Sequence, residues 1–308
     1  TVYGLAADAF NPTAVAKIFE VKGRPAHDPL IVHVTGRGML DGVAIVPPEI
    51  DEAFRQITEE FWPGALTIVL PKGPAIPDCV TSGLPTVAVR APAHAVMRSI
   101  LKEVGHPLAA PSANRFGRIS PTTAGAVLAE LGGLIPLVID AGACRDGLES
   151  TIIRITETTK KPLIEILRAG PVTRDMLKPF GKVKVANKPK PASSTPEVPG
   201  QLESHYAPAT PLICPATPAD FHPEPGKRYG LLSYRGDAAD GFLGLTDWAA
   251  TETLSPGSGK IAEAGVRFFA MLRRLDDLGL DMIVAEPLPE HGVGLALQER
   301  LRRASHRG

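Results

Sequence analysis

Hydrophobic positions change period several times along this chain, and each change predicts an element. Asn11 before Pro12 reads as an N-cap with proline at the first helical position. Val15, Ile18 and Phe19 then share one face, and Gly23 ends the helix. Leu30 to Val34 is an apolar run of strand length whose one polar side chain is His33. Helical spacing returns over Pro48 to Phe61 and Ala93 to Val104, and strand patterns cover Leu66 to Leu70, Thr86 to Arg90 and Leu108 to Ala110. Ser120-Pro121 repeats the cap-plus-proline signature and predicts a helix through Leu131, with Ser120 as its cap. Ile135 to Asp140, Thr151 to Ile155 and Ile164 to Leu167 complete the predicted strands of this part. The alternation predicts an α/β fold. Several connections are too short for a crossover helix, so some strands should be antiparallel.

Between Val185 and Pro211 the periodicity stops. Lys188 to Pro196 mixes prolines with polar residues, which predicts an extended, semi-rigid linker over 186–210 between domains at 1–185 and 211–308. In the second domain the strand candidates are Leu212 to Cys214, Tyr229 to Tyr234, Phe242 to Leu245 and Met282 to Ala285. Ile261, Ala264, Phe268, Leu272 and Leu275 fall on one long helix, so a small open α/β unit is expected. Gly257-Ser258-Gly259-Lys260 lacks the rest of a phosphate loop. Leu254 stands where the first glycine belongs and Ile261 where Ser or Thr should follow, so the segment reads as a loop before a helix.

Composition narrows the field. The 308 residues suffice for two cores, and 33 Lys+Arg balance 33 Asp+Glu. No global field draws the chain to nucleic acid or an anionic membrane, so any RNA contact would be local. The one dense basic cluster, Arg300, Arg302, Arg303 and Arg307, reads as a solvated helix end. Three distant cysteines without a CxxC argue against a disulfide framework or zinc site and fit a reducing cytoplasm. No apolar run approaches the roughly 20 residues that span a bilayer. The chain opens at Thr1 with neither methionine nor secretory signal, and upstream residues are expected.

Candidate chemistry gathers in two stretches. Lys22 and Arg24 flank Gly23, where the backbone is free to turn and two cations can converge on a phosphate. Pro25 and the strand that follows fix that loop. A neutral His33 can accept from an ammonium group or take a proton from an amine, although a structural hydrogen bond is the alternative. In the second stretch, Pro111-Ser112-Ala113-Asn114 and Ser120 offer hydroxyls and an amide beside a helix N-terminus, a ready anion site. Arg90 and Arg168 each end a strand, placed to clamp an anion or to pair with a surface acid. Neither HExxH nor GxSxG is present. Cations beside short-chain donors suit a polyphosphate held next to a small zwitterion.

These motifs resemble those of the YrdC-like threonylcarbamoyl-AMP synthases. The resemblance rests on Thr1-Val2-Tyr3-Gly4-Leu5, Lys22-Gly23-Arg24-Pro25, Pro29-Leu30-Ile31-Val32-His33 and Phe61-Trp62-Pro63-Gly64. It extends through Val89-Arg90, Pro111-Ser112-Ala113-Asn114, Gly147-Leu148-Glu149-Ser150-Thr151 and Leu167-Arg168-Ala169-Gly170. Pro199-Gly200 and His205-Tyr206-Ala207-Pro208, followed by a second domain, are similar to the longer two-domain branch. The resemblance implies a YrdC-like twisted mixed sheet with flanking helices plus a smaller C-terminal Rossmann-like α/β domain. It implies a cytoplasmic enzyme that joins L-threonine, bicarbonate and ATP, with Mg2+, into threonylcarbamoyl-AMP and pyrophosphate. The product would pass to the tRNA threonylcarbamoyl-transfer machinery, with only weak direct tRNA binding.

By the same carry-over, Lys22, Arg24, Ser112 and Asn114 form the family signature. Threonine would meet Thr1, His33, Arg90, Ala110 (by backbone) and Ser150. ATP would meet Arg24, Asp28, Thr86, Ser112, Ser120 and Arg168, with His205 and Tyr206 as a lid. Two departures stand out. The family's strand and Pro-Thr-Glu lead-in before Thr1 are absent here. Asp28 replaces the usual asparagine, and its carboxylate would repel phosphates unless Mg2+ intervened. The alternatives are a related carbamoyl-adenylate or carbamoyl-transferring enzyme and a non-catalytic double-stranded-RNA-binding module. The first usually carries zinc-finger and acylphosphatase segments not seen here, and zero net charge does not favour the second.

Overall fold

The computed structural model describes residues 1–157, 161–186, 196–202 and 205–306. The first elements are β1 (Ala7–Asp8), α1 (Pro12–Lys22), β2 (Ile31–His33), α2 (Asp51–Phe61), β3 (Leu66–Pro71), α3 (Asp78–Thr81) and β4 (Thr86–Arg90). α4 (Ala95–Val104), β5 (Leu108–Ala109), α5 (Ala124–Leu131), β6 (Thr151–Thr156), β7 (Leu163–Arg168), α6 (Arg174–Leu177) and β8 (Lys182–Val185) follow. Asn11 caps α1 as expected, its Oδ1 accepting from the N–H of Thr13 and Ala14 at 3.0 and 3.1 Å. Gly23 ends the helix at φ 61°, a conformation a Cβ would penalise.

Among the described residues eight strands form one mixed sheet in the order β1-β5-β2-β4-β3-β6-β7-β8. The pairs β2–β4, β3–β6 and β7–β8 are parallel and the rest antiparallel. Strand alternation then assigns two faces. Val32, Ile68 and Val89 pack on one side with Phe54 and Ile57 of α2. Ile31, Val69, Ala88 and Ile152 point the other way, beneath Val198. His33 lies two residues beyond Ile31 and Arg90 two beyond Ala88, and the register pairs them. Period two thus puts both on the face covered by the chain around Val198.

The second domain comprises β9 (Leu212–Ile213), β10 (Tyr229–Ser233), β11 (Ala250–Thr253), α7 (Ile261–Asp276), β12 (Met282–Ala285) and α8 (Gly294–Ser305). Its four parallel strands run in the order β11-β10-β12-β9, the Rossmann-like pattern. Its core includes Phe268, Phe269 and Leu272 of α7 and also Ile119, Leu148 and Tyr206 from earlier in the chain. The two domains therefore share apolar packing.

Four expectations are corrected. Ser120-Pro121 does not begin a helix: α5 starts at Ala124, and Thr123 Oγ1 accepts from the N–H of Ala126 at 3.2 Å. The hydroxyl of Ser120 turns inward to Glu149, and the Pro121 carbonyl is held by the N–H of Tyr3. Ile135 to Asp140 is loop: Leu137 is 71% exposed, while Ile135 and Val138 pack against Ala113, Val127 and Leu131. Phe242 to Leu245 folds as turn because Trp248 Nε1 donates to the Phe242 and Leu243 carbonyls, and β11 takes the sheet edge instead. Arg300 and Arg303 are buried, not solvated; Arg302 is exposed, and Arg307 lies outside the described residues.

Most of the stretch on which the linker was predicted, Lys188 to Pro196, is not described. Residues 187–195 and 203–204 lie outside the described residues. The rest is packed, with Val198, Gln201, Leu202, His205, Tyr206 and Thr210 all buried.

Candidate active site

A cavity of about 830 Å³ opens over the face of the sheet that carries His33 and Arg90. Of the residues singled out in sequence, it gathers Thr1, Arg24, His33, Arg90, Ala110, Ser112, Ser150, Arg168, His205 and Tyr206 into its walls. The turn after α1 and the loop after β5 meet directly: Lys22 Nζ donates to the Ser112 carbonyl at 2.6 Å and to that of Asn114. Lys22, 3% exposed, thus lies behind the wall and clamps the Ser112–Asn114 loop in place. Asn114 is buried beside it, its amide donating to the Arg115 and Arg118 carbonyls at 2.7 and 3.0 Å.

Each cation is fixed by neighbouring carbonyls. Arg24 Nε donates to the Asp28 carbonyl at 3.0 Å and Nη2 to that of Pro29 at 2.8 Å, while Nη2 also lies 2.9 Å from Asp28 Oδ2. Arg90 donates to the Gly64 carbonyl and to Thr1 Oγ1, both at 2.8 Å. Arg168 donates to the carbonyls of Ser150 and Pro199 and, at 3.1 Å, to Ser150 Oγ. Ser150 Oγ also lies 2.7 Å from Thr67 Oγ1, and the Ala110 N–H donates to the Ile31 carbonyl at 3.0 Å. A cation held this way is pre-aimed, so little reorganisation is needed to receive an anion.

Burial sets the charges. It lowers the basicity of Arg24, Arg90 and Arg168, that of Arg90 to about 10, so Arg90 stays charged at neutral pH. Burial pushes Lys22 down to about 7, with the Arg24 guanidinium adding to the effect. His33 falls to about 3 through burial and then the Arg90 charge, and His205 lies well below its ordinary value for similar reasons. Both imidazoles are neutral at pH 7, and the Nδ1 of each is buried with no hydrogen-bond partner.

Three expected contacts fall elsewhere. Asp28 is wholly buried behind Arg24, and burial raises its pKa against the pull of that guanidinium. Its carboxylate faces Arg24 and not the cavity, which removes the anticipated clash with phosphates. Thr86 starts β4 opposite Pro71, at the far end of the strand from Arg90, and does not line the cavity. Ser120 also lies outside the lining, bonded to Glu149.

Residues 1–170 match the Sua5–YciO–YrdC family, described as telomere recombination, and residues 172–306 match the family described as threonylcarbamoyl-AMP synthase, C-terminal domain. The threonylcarbamoyl-AMP synthase of Pyrococcus abyssi is 37% identical over 99% of this chain and 88% of its own length. The chain belongs to the threonylcarbamoyl-AMP synthase family. The Bacillus subtilis synthase is 36% identical over 99% of this chain and 87% of its own. The crystal structure of P. abyssi Sua5 complexed with L-threonine superposes with a TM-score of 0.86, at 35% identity, covering 99% of this chain and 88% of that one. Two further groups at the cavity were not read as functional in the sequence. Glu149 lines the cavity within a quoted motif, and Arg300 of α8 reaches it from the second domain. Only a two-domain arrangement brings that pair together, so local pattern carried no signal for it.

The backbone around His205 and Tyr206 is specific. Tyr206 is 2% exposed with φ 65°, an uncommon conformation for an aromatic residue and one that collects at functional sites. Gly200 at φ 80° lies against it: a Cβ there would sit 2.7 Å from Tyr206 Oη and 3.3 Å from Arg168 Cδ. His205 and Tyr206 pack ring to ring with centroids 4.1 Å apart, and Phe116 and Phe269 abut them.

Proposed function

We propose that this chain forms threonylcarbamoyl-AMP and pyrophosphate from L-threonine, bicarbonate and ATP in the cytoplasm, and that its product feeds threonylcarbamoyladenosine modification of tRNA. The observation that carries the reading is the clamp of Lys22 on the Ser112–Asn114 loop at the edge of a cavity lined by three buried arginines. Relatives bearing the synthase name, and threonine in the P. abyssi structure, supply the substrate class. Residues 1–185 act as the catalytic unit, the described residues of 186–210 (186, 196–202 and 205–210) as the strap over it and those of 211–308 as its second wall.

Threonine binds with its carboxylate toward Arg90 and its ammonium toward neutral His33, near Thr1, Ala110 and Ser150. Once deprotonated, its amine captures carbon dioxide or bicarbonate as a carbamate, losing water in the latter case. A carbamate oxygen then attacks the α-phosphorus of ATP, and the bond to the β-phosphate oxygen breaks to release pyrophosphate. Arg24 and Arg168 face the phosphates, Ser112 orients them, and Lys22 holds the loop that carries Ser112. Carbamates decompose in water, so His205 and Tyr206 close the cavity while both reactants are held. Among the described residues no three His, Cys, Asp or Glu side chains gather to bind a metal. Of the lining carboxylates, Glu149 lies 3.2 Å from Arg300. Mg2+, as the partner ion of ATP, would supply charge neutralisation at the phosphates alongside Arg24 and Arg168.

The test is pyrophosphate release from Mg–ATP with each component omitted in turn. Release that requires both threonine and bicarbonate is expected. Release that ignores threonine, or salt-sensitive RNA binding without turnover, defeats the proposal.

A further inference from the structure

Two arginines of α8 turn inward. Arg300 is 1% exposed; its Nε lies 3.2 Å from Glu149 Oε2, Nη1 donates to the Ala296 carbonyl at 3.2 Å, and its guanidinium carbon sits 5.4 Å from the centre of the Tyr206 ring. Arg303 donates to the Leu202 carbonyl and to Glu299 Oε1, while its own carbonyl accepts from the N–H of His205 at 3.3 Å. Glu149 Oε1 accepts from Ser120 Oγ. One helix of the second domain therefore grips both the strap and a carboxylate of the cavity wall.

Docking alone does not require this arrangement. Arg273–Glu130 at 3.0 Å and Arg118–Asp276 at 3.3 Å already join the domains, and none of the four lines the cavity. Burying a guanidinium is costly unless its charge is matched, and here the match is Glu299, 3.7 Å from Nη1, together with Glu149, a carboxylate that faces the cavity. Left unpaired, Glu149 would be a negative charge where phosphates are to sit. Paired on one oxygen with Arg300 and on the other with Ser120, it is neutralised and cannot swing inward.

We infer that Arg300 is a positioning residue of the active site supplied by the second domain: it neutralises and orients Glu149, and with it Ser120, and it backs the Tyr206 ring. The site is thus incomplete without the second domain. The kinetic part of this inference rests on the synthase reading; the structural part does not.

The experiment uses the full chain as wild type, Arg300→Gln, Arg300→Lys and the double variant Glu149→Gln/Arg300→Gln. Steady-state pyrophosphate release, with thermal unfolding as the check on folding, is expected to give Arg300→Gln an ATP KM raised roughly tenfold or more and a threonine KM within about twofold of wild type. Arg300→Lys keeps most of the ATP affinity. The double variant recovers most of the loss, because removing the unpaired charge removes the repulsion. An unchanged ATP KM overturns the inference, as does a parallel rise of both KM values in step with unfolding, or a double variant no better than Arg300→Gln. Hydrogen exchange gives an arm that does not depend on turnover. Amides from Gly117 to Ser120 and from Val198 to Leu202 should exchange faster in Arg300→Gln while β2, β3 and β4 do not change, and unaltered exchange also overturns it. Should the wild type release no threonine-dependent pyrophosphate, the synthase reading fails, and exchange together with calorimetric ATP binding still decides the role of Arg300.

Discussion

Acid should destabilise this protein through His33. The imidazole is 7% exposed in the middle of the sheet, and burial beside Arg90 takes it from 6.5 to about 3. The unfolded chain therefore takes up a proton well before the folded one, and stability present above 6.5 drains away as the pH falls toward 3. At pH 5 nearly all unfolded chains carry the proton on residue 33 while folded chains do not. Linkage between pH 7 and pH 5 then costs about 2 kcal/mol. That figure depends almost wholly on the unfolded-state value once the folded one lies below 5. His205, lowered for the same reason, adds a loss of the same sign. Urea unfolding at pH 7, 6 and 5 and fixed ionic strength, for wild type and His33→Gln, isolates the effect. The variant should lose about 2 kcal/mol less over this interval. An identical pH dependence in both proteins would falsify the assignment of a buried, neutral imidazole.

Lys22 gives the alkaline counterpart. With its folded value near 7, stability should rise by about 2 kcal/mol from pH 7 to pH 9 as the unfolded chain alone stays charged. Lys22→Met should abolish that rise in the same urea assay, and a rise that persists would contradict the burial argument. Arg24→Ala should cut threonine-dependent pyrophosphate release about a hundredfold or more, but it also strands the buried Asp28 carboxylate at a cost of about 3–5 kcal/mol. Arg24→Ala/Asp28→Asn should regain the stability and not the turnover; a folded double variant with near-normal rates removes Arg24 from the phosphate site. Gly200→Ala should impair turnover because its Cβ would meet Tyr206 Oη and Arg168 at a residue with φ 80°. Unaltered kinetics in that variant would show that the strap does not need its close approach.

How much of this was legible in the sequence depends on the range over which each decision is made. The cap at Asn11, the stop at Gly23 and the alternation of β2 and β4 are local choices, and they alone put Lys22, Arg24, His33 and Arg90 in workable positions. Ser120 shows where local signals fail. Its cap-plus-proline pattern is sound, but a buried carboxylate 29 residues away claims the hydroxyl, and the helix start moves on to Thr123. Phe242 to Leu245 fails likewise, since Trp248 folds it into a turn. The Arg300–Glu149 contact spans 151 residues and joins two domains, so no window along the chain contains it.

The same division of range explains the electrostatics of the cavity. A turn or strand end can place a cation from a handful of neighbouring residues, since carbonyl acceptors are always near at hand, as for Arg24 with Asp28 and Pro29. Whether that cation meets an anionic ligand or a protein carboxylate is settled by what the rest of the chain brings to its back. Here Asp28 sits behind Arg24, and Arg300 sits behind Glu149. Both arrangements draw a negative charge away from the cavity. An excess of positive field can therefore be built inside a chain whose net charge is zero, by pairing carboxylates such as Asp28 and Glu149 with cations.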